Sequence, residues 1–507
     1  MVSVDECRPR EADVLYLLHM PIRQQVLTLQ TFTLHEEEDM KPRSRQVKRT
    51  QEPEELLPVF REMMNGELVR QWLSSVSQRF YNRIWPPLVT LWAVLYQRLN
   101  PDHTCDAVVS AFRSGVGDGL DTSHAEPLSR RMKSESPTAY GKARQRLPLT
   151  LFDEALRYTS QVVRDWMGVG GTWLGHPVGL LDGTTFLARP WEGLVKKYGR
   201  HKNQHGETYW VVMRAVGVFC AFTGCLLAVA DGSLHASEAA LASQLLVGSL
   251  PGMVWVGDRN FGIYRVVQAA RQGRAEVLLR LTDPRARALA RRDVKVGEDI
   301  GLWWCRSPHD TVNFGMPRTP VQGRLLRVRV GQNGFRIQDL YLFTTLLDAQ
   351  RYPVDKLVQL YGVRWHVELN LRYVKATLQM GQLTARSVDN VRKELRGGLL
   401  GYNVIRGFIA QAARRRNLSP LDLSFTRCWR RIRDTLIVWR VRRLQGPMDK
   451  ELERLLDRLA QCRLRKRKPF RIEPRAVRRK PMVYENLKGS RAEARQRVLK
   501  AYRRKVR

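Results

Sequence analysis

The feature that most constrains the fold is a change of hydrophobic period at Pro177. Before it, apolar residues recur every three or four positions, as in amphipathic helices. After it, short strand-like apolar runs alternate with helical stretches up to about residue 283. In chain order these runs are VGLLD, TYWVVMRAVGVFCA, CLLAVADG, SEAALASQLLVGSL (helical), MVWVGD, FGIYRVVQAARQG (helical) and AEVLLRLT. The order predicts an α/β domain whose helices cover the faces of a sheet.

The flanking sequence differs in character from this domain. Residues 284–345 are strand-like and rich in Trp, Val and Arg, with no helical pattern, which predicts a β-strand insertion. From Cys462 onward there are 19 Lys or Arg against three Glu. The predicted segments are a flexible arm (1–55), a helical domain (56–165), the α/β domain (175–283 and 346–410), the insertion (284–345) and a helical, basic C-terminal region (411–507).

The composition points to a polyanionic partner. The chain has 507 residues, 43% of them hydrophobic, and a formal net charge of +37. This hydrophobic content excludes a disordered protein, and the charge favours nucleic acid or an anionic membrane as partner. The longest apolar stretch, from Val211, contains Arg214 and a turn, and the N-terminus has no apolar signal region. We therefore expect no membrane association and a cytoplasmic or nuclear location.

Cysteine usage argues against a zinc site. The seven cysteines are irregularly spaced and contain no CxxC pair. This pattern is typical of reduced, mostly buried thiols.

Two aspartates end apolar strands. Asp182 follows VGLL and Asp258 follows MVWVG. Burying an acid at the edge of a core is costly unless it is paired or binds a metal. The simpler alternatives are an Asp-Gly turn at Asp182 and a helix cap at Asp258. Asp231, which ends a third strand, is a rival candidate.

The segment YGVRWHVELNLRYVK, residues 361–375, contains a further candidate site. On a single helix Tyr361, Arg364, Glu368 and Lys375 fall within about 60° of one another. They form a stripe with one carboxylate among cations and an aromatic ring. The simpler alternative is an ordinary i,i+4 Arg–Glu pair.

Three carboxylates suit a particular chemistry. Magnesium prefers oxygen ligands, and two ions held about 4 Å apart can activate a water or 3′-hydroxyl and stabilise the leaving oxygen of a phosphodiester. A strongly basic surface would hold the nucleic acid at such a site.

The residues of this stripe resemble a known signature. Their spacing, Y-x2-R-x3-E-x6-K, is similar to the Y-R-E-K signature of DDE transposases from bacterial insertion sequences of the IS-four group. LLDGTTF and WVGDRNFG resemble the first two acidic motifs of that group. LYLFTTLLDAQRYPVDKLVQLYGVRW and VRKELRGGLLGYNVIRG also resemble it. The resemblance covers about residues 140–410.

The resemblance implies an RNase H-like catalytic domain. In that fold the first acid ends strand one and the second ends strand four, which favours Asp258 over Asp231. Asp182, Asp258 and Glu368 would then be catalytic and bind two Mg²⁺ ions, with Mn²⁺ as a substitute.

The resemblance also implies residues that contact DNA. Tyr361, Arg364 and Lys375 would contact the terminal phosphate of the element's end, with Arg259 as a further DNA contact. Trp303 or Trp304 would stack on a flipped base; the alternative is that both are strand core residues. The helical domain, with SPTAYGKARQRLP as a DNA-contacting helix, would read the terminal inverted repeats.

The implied function is DNA transposition in a bacterial, nucleoid-associated setting. The partners would be double-stranded DNA, both inverted repeats and target, and a second copy of the chain in a synaptic homodimer. The alternatives are an RNase H-like nuclease that cuts without joining, a non-catalytic DNA-binding relic of a transposase, and a basic RNA-binding protein.

Overall fold

The computed structural model describes residues 15–16, 63–74, 76, 80, 83–118, 120, 124–203, 206–248, 250–307, 319–331, 338–442, 448–464 and 490–505. The predicted arm lies outside the described residues apart from Leu15–Tyr16, and so does most of the basic tail after Cys462. The described residues up to 464 belong to one compact unit. The helix Arg491–Lys505 belongs to a second unit.

Helices occupy most of the described residues from Gly66 to Met167, as the sequence period predicts. They are α1 (Gly66–Leu73), α2 (Pro87–Leu99), α3 (Cys105–Arg113), α4 (Leu128–Arg131), α5 (Thr138–Arg146) and α6 (Leu149–Met167). Side chains cap two of them: Asn65 accepts hydrogen bonds from the amides of Glu67 and Leu68, and Thr104 accepts one from Ala107. Such caps satisfy amides that have no partner within the helix.

One sheet of 11 strands organises the described residues. The strands are β1 (Leu15–Tyr16), β2 (Val178–Ala188), β3 (Arg200–Asn203), β4 (Gly206–Cys220), β5 (Leu226–Gly232), β6 (Val254–Gly257), β7 (Glu276–Leu281), β8 (Asp299–Trp304), β9 (Val321–Gly331), β10 (Gln338–Thr344) and β11 (Gln382–Leu383). The central order is β5–β4–β2–β6–β7. Strands β2, β6 and β7 are parallel, whereas β4 is antiparallel to both β2 and β5.

The segment predicted as a β insertion contributes strands to the same sheet. Strand β10 pairs antiparallel with β7, and β9 and β8 continue outward from β10. The prediction that this segment holds no helix is wrong, because α10 spans Asp283–Ala290. This helix has a proline in its first turn and is rich in Ala and Arg, which favour helix. Its only large apolar side chain is that of Leu289, so the segment shows no hydrophobic period.

Helices cover both faces of the sheet. The remaining helices of the compact unit are α7 (Glu192–Tyr198), α8 (Glu238–Val247), α9 (Tyr264–Gln272), α11 (Val354–Gly362), α12 (Trp365–Arg372), α13 (Val388–Arg415), α14 (Phe425–Arg442) and α15 (Met448–Ala460). One core contains α8 and α9, and the other contains α6, α11, α12 and α13. Long helix α13 is buried over most of its length. Among the described residues, no helix is long and apolar enough to cross a membrane.

Candidate active site

Asp182 and Asp258 lie side by side on neighbouring parallel strands. Strands β2 and β6 pair with Leu180 opposite Val256. Two residues further on, the same register brings Asp182 level with Asp258. Since side chains two residues apart share a face of a strand, both carboxyl groups point to the face on which Leu180 and Val256 lie. That face packs against the core that contains α12.

The prediction that a strand ends at Asp182 is wrong. Strand β2 continues to Ala188, because Gly183 to Ala188 keep pairing with β4 as far as Val211. The neighbouring strand β6 does end at Gly257, immediately before Asp258. Asp182 therefore lies within strand β2, level with the point at which the neighbouring strand β6 ends.

The environment of Asp182 concentrates negative charge. Burial, reinforced by the charges of Asp258 and Glu368, raises the pKa of Asp182 to about 7. The amide of Gly183, which donates to Asp182 Oδ1 at 2.8 Å, and the charge of Arg364 act in the opposite direction. Asp182 thus interacts electrostatically with Asp258, which follows the neighbouring strand β6, and with Glu368 and Arg364.

Glu368 lies on α12 and is paired with Arg364. The Arg364 Nη2 to Glu368 Oε1 distance is 2.7 Å, and the side chains are 16% and 38% exposed, respectively. The simple i,i+4 pair is therefore present. Arg364 also interacts with Asp182, so it lies between two of the three acids and is not confined to a solvent-facing pair.

Tyr361, Arg364, Glu368 and Lys375 do not lie on one continuous helix, contrary to the prediction. Helix α11 ends at Gly362 just after Tyr361, and α12 gives way to a π turn at Tyr373–Thr377. The π turn has more residues per turn than an α-helix, so it rotates Lys375 away from the angle predicted for it.

The two outer members of the signature, Lys375 and Tyr361, contact strand β2 and Arg364, respectively. Lys375 Nζ lies 3.4 Å from Thr184 Oγ1, on the same face of β2 as Asp182. Tyr361 is buried, and its hydroxyl is hydrogen-bonded to Arg364. Burial raises the pKa of Tyr361 and lowers that of Lys375.

Arg280 is a site residue that sequence reasoning missed. Strands β6 and β7 pair with Gly257 opposite Leu279, so the next residues, Asp258 and Arg280, stand level. Arg280 is half-buried and interacts electrostatically with Tyr361. Within the described part of the chain, its guanidinium has no hydrogen-bond or ion-pair partner. The signal was present in the sequence, since Arg280 interrupts the apolar run of AEVLLRLT near its C-terminal end.

The rival acid, Asp231, belongs to a different cluster. Its side chain is 1% exposed, and its Oδ1 accepts hydrogen bonds at 3.0 Å from both Arg392 and Arg396. Its Oδ2 accepts one from the Tyr198 hydroxyl at 3.0 Å. The two guanidinium groups already neutralise this carboxylate and would repel a metal cation, so this cluster is structural.

The other candidates for DNA contact differ in accessibility. Trp303 is 60% exposed. Trp304 is only 6% exposed, and its ring meets Phe343 edge-on at 4.7 Å. A ring packed in this way cannot stack on a base, so the interpretation of Trp304 as a stacking residue does not fit. Arg259 is exposed beside Asp258.

The donor chemistry of the three acids fits a hard divalent cation. Carboxylate oxygens are its preferred ligands, and a cation would relieve the repulsion that helps raise the pKa of Asp182. In this conformation Glu368 is turned to Arg364. Among the residues that the structure describes, no three His, Cys, Asp or Glu side chains already enclose an ion position.

Two similarities to known proteins bear on this site. Residues 173–404 match the family model described as "Transposase DDE domain". The chain is 33% identical over 150 residues to "Transposase InsG for insertion sequence element IS4" of Escherichia coli (strain K12), covering 28% of this chain and 33% of that protein. It thus spans about a third of the length of the curated relative it matches.

A solved structure is also similar at low level. It is titled "Cryo-EM structure of piggyBac transposase synaptic complex with hairpin DNA", and the match covers 82% of this chain and 88% of that chain. The sequence identity is 11% and the TM-score is 0.36, which is below the level that indicates a shared fold.

Proposed function

We propose that the protein is a DNA transposase of an insertion sequence, because residues 173–404 match the family model described as "Transposase DDE domain". It binds the terminal inverted repeats and catalyses metal-dependent strand cleavage and strand transfer. The observation that supports the proposal is that Asp182 and Asp258 stand level on neighbouring parallel strands, while Glu368 and Arg364 interact electrostatically with Asp182.

The proposal includes an RNase H-like catalytic domain. The strand order β5–β4–β2–β6–β7, with β2, β6 and β7 parallel, supports it. So does the placement of Asp182 on the first and Asp258 after the fourth of these strands in chain order. Strands β8, β9 and β10 would form an insertion between β7 and the helix that carries Glu368.

DDE transposases use divalent metal ions. Here we propose two Mg²⁺ ions, replaceable by Mn²⁺, held by Asp182, Asp258 and Glu368. When bound, such ions activate a water or 3′-hydroxyl and stabilise the leaving oxygen. The carboxylates of the chain would fix their positions, which requires Glu368 to turn at least partly from Arg364.

The cations around the acids would bind the phosphate that reacts. Arg364 and Arg280 flank the acids, and Lys375 reaches the same face of β2 through Thr184. Guanidinium groups bind phosphate oxygens through paired hydrogen bonds. Tyr361, hydrogen-bonded to Arg364, would hold that guanidinium in place.

Partners and location follow from the same proposal. The helical region 56–165 would bind the inverted repeats, two copies of the chain would form the synaptic complex, and the protein would act in the bacterial nucleoid. Trp303, exposed on β8, would be the residue that stacks on a flipped base.

Replacing Arg280 with alanine is expected to lower the cleavage rate about 100-fold, as when one charge-stabilising donor is removed from a transition state. The measurement is single-turnover cleavage at saturating DNA. Arg271→Ala is the matched control, because Arg271 pairs with Glu276 at the opposite end of β7. Equal rates for both variants would exclude Arg280 from the site.

DNA affinity is expected to fall steeply with salt. Each phosphate contact contributes about −0.9 to the slope of log K against log salt concentration. Titrating a labelled inverted repeat between low and physiological salt measures the slope. A slope near zero would contradict a DNA interface built on the +37 charge.

The deciding experiment is a cleavage and joining assay. It uses purified full-length protein, Mg²⁺, and a DNA fragment carrying the inverted repeats that flank the gene, with Asp258→Asn as control. Cutting at the repeat boundary followed by joining, lost in the control, is the expected result. Cutting without joining would indicate a nuclease, and tight binding without cutting would indicate a non-catalytic relic.

A further inference from the structure

The side chain of Arg406, on α13, is an unusual buried cation. It is 2% exposed. Its Nε donates to the Tyr402 hydroxyl at 2.8 Å, and its Nη2 donates to Asn370 Oδ1 at 2.6 Å. Within the described part of the chain it forms no ion pair with a carboxylate. Burying an uncompensated charge is costly, so other groups must stabilise it.

Aromatic rings provide that stabilisation. The Arg406 Cζ lies 5.0 Å from the ring centre of Phe425, 5.4 Å from that of Tyr402 and 5.6 Å from that of Tyr373. The rings of Tyr373 and Phe425 are themselves stacked at 4.8 Å. Ring faces attract cations, and the attraction is strongest where water is excluded.

The turn between β4 and β5 is shaped to receive the same guanidinium. Gly224 has φ +71°, and a Cβ atom there would lie 2.8 Å from Arg406 Cζ. The Gly224 carbonyl accepts a hydrogen bond from the Tyr402 hydroxyl at 2.7 Å. Arg406 therefore joins this turn and helices α13 and α14 to the segment 365–377.

The contacts of Arg406 on that segment lie between two site residues. Asn370 is two residues after Glu368, and Tyr373 begins the π turn that contains Lys375. Asn370 is 1% exposed, and its amide nitrogen makes no hydrogen bond with the described residues. Its oxygen is thus the atom through which the Asn370 side chain links the segment to Arg406.

We propose that Arg406 is a positioning residue, which acts through the Asn370 oxygen to fix the rotation of the segment 365–377. That rotation decides whether Glu368 faces Asp182 and Asp258, and where Lys375 meets β2. The inference rests on the proposed transposase function for its effect on rate, but the structural link itself does not.

The test removes the Asn370 oxygen and then restores it. Asn370→Leu and Asn370→Ser both break the link, the second with a smaller change of volume, whereas Asn370→Asp keeps an acceptor for Arg406. We expect the first two to lower the cleavage rate at saturating repeat DNA by about 10- to 100-fold, as for groups that orient site ligands. Asn370→Asp should retain most of the rate, and DNA affinity should change less than the rate in all three, because region 56–165 would supply the contacts to the repeats.

Amide hydrogen exchange separates positioning from general stability. In Asn370→Leu and Asn370→Ser, exchange should rise in residues 365–377 and not in β2 or β6. Asn403→Leu is the matched control: it removes a buried amide of α13 that bonds Leu226 and Thr159 and does not touch the segment. It should lower stability without slowing saturated cleavage below the melting temperature.

Either of two results would overturn the proposal. One is an unchanged saturated rate and unchanged exchange in Asn370→Ser. The other is a slow rate that Asn370→Asp shares although it restores normal exchange. If the wild-type protein does not cleave at all, the proposed function fails, and the exchange measurement still tests the link.

Discussion

Replacing Glu368 with alanine should lower strand cleavage about 1,000-fold or more, the upper end of what loss of one transition-state group costs. DNA binding should survive, because Arg364, Lys375 and Arg280 remain. The fold should survive too, since Glu368 is 38% exposed and its pair with Arg364 contributes at most about 1 kcal/mol. Removing one negative charge also relieves repulsion with Asp182.

Cleavage at saturating DNA, a gel-shift titration and a thermal melt measure these three outcomes. Asp355→Ala is a suitable control, because it removes an acid from the first turn of the preceding helix, α11. Cleavage by Glu368→Ala at the wild-type rate would show that the assignment of the three acids is wrong.

Asn substitutions at Asp258 and Asp231 are expected to have opposite effects on activity and stability. Asp258→Asn should abolish cleavage while leaving stability unchanged, because the Asn260 amide that donates to Asp258 Oδ1 at 2.9 Å can donate equally to an Asn side chain. Asp231→Asn should lower the free energy of unfolding by about 3 kcal/mol, since it leaves Arg392 without a paired carboxylate and Arg396 with only Asp153. Denaturant unfolding and the cleavage assay distinguish the two variants.

The Asp231 cluster also predicts a pH dependence of stability. Burial opposes ionisation, but the charges and hydrogen bonds of Arg396 and Arg392 outweigh it and lower the pKa of Asp231. A lowered folded-state pKa means that the stabilisation is present above the unfolded value of about 3.9 and is lost as pH falls through the folded value. The stability difference between wild type and Asp231→Asn should therefore shrink below about pH 4. A difference that persists unchanged into that range would contradict the ion-pair assignment.

Local patterns in the sequence were enough to reveal a resemblance to a known family. The spacing of Tyr361, Arg364, Glu368 and Lys375 resembled the DDE transposases of the IS-four group. The match of residues 173–404 to the transposase DDE domain and the similarity to the IS4 transposase confirm that assignment. The apolar runs also predicted a mixed α/β domain, which the large sheet with helices on both faces bears out.

Local sequence patterns gave wrong predictions where contacts with distant segments determine the structure. Strand β2 continues beyond Asp182 because its residues go on pairing with β4. Helix α10 forms although its sequence has no hydrophobic period. Nothing in the spacing 361–375 reveals that a π turn follows α12, since that turn packs against Phe425 of a distant helix. Likewise, Trp303 and Trp304 are neighbours in sequence, but only the packing of Phe343 shows which of them is buried.

By itself, then, the sequence determined the resemblance to the DDE transposases, the basic character and the three candidate acids, because residue types and short spacings carry that information directly. Only the tertiary structure showed what holds Asp231, because its partners Arg392 and Arg396 lie more than 150 residues away in the chain. The tertiary structure was also needed to show that Arg280 stands level with Asp258, and that Arg406 contacts Asn370, two residues after Glu368. Strand register and burial bring such residues together, and both arise from contacts between segments that are far apart in sequence.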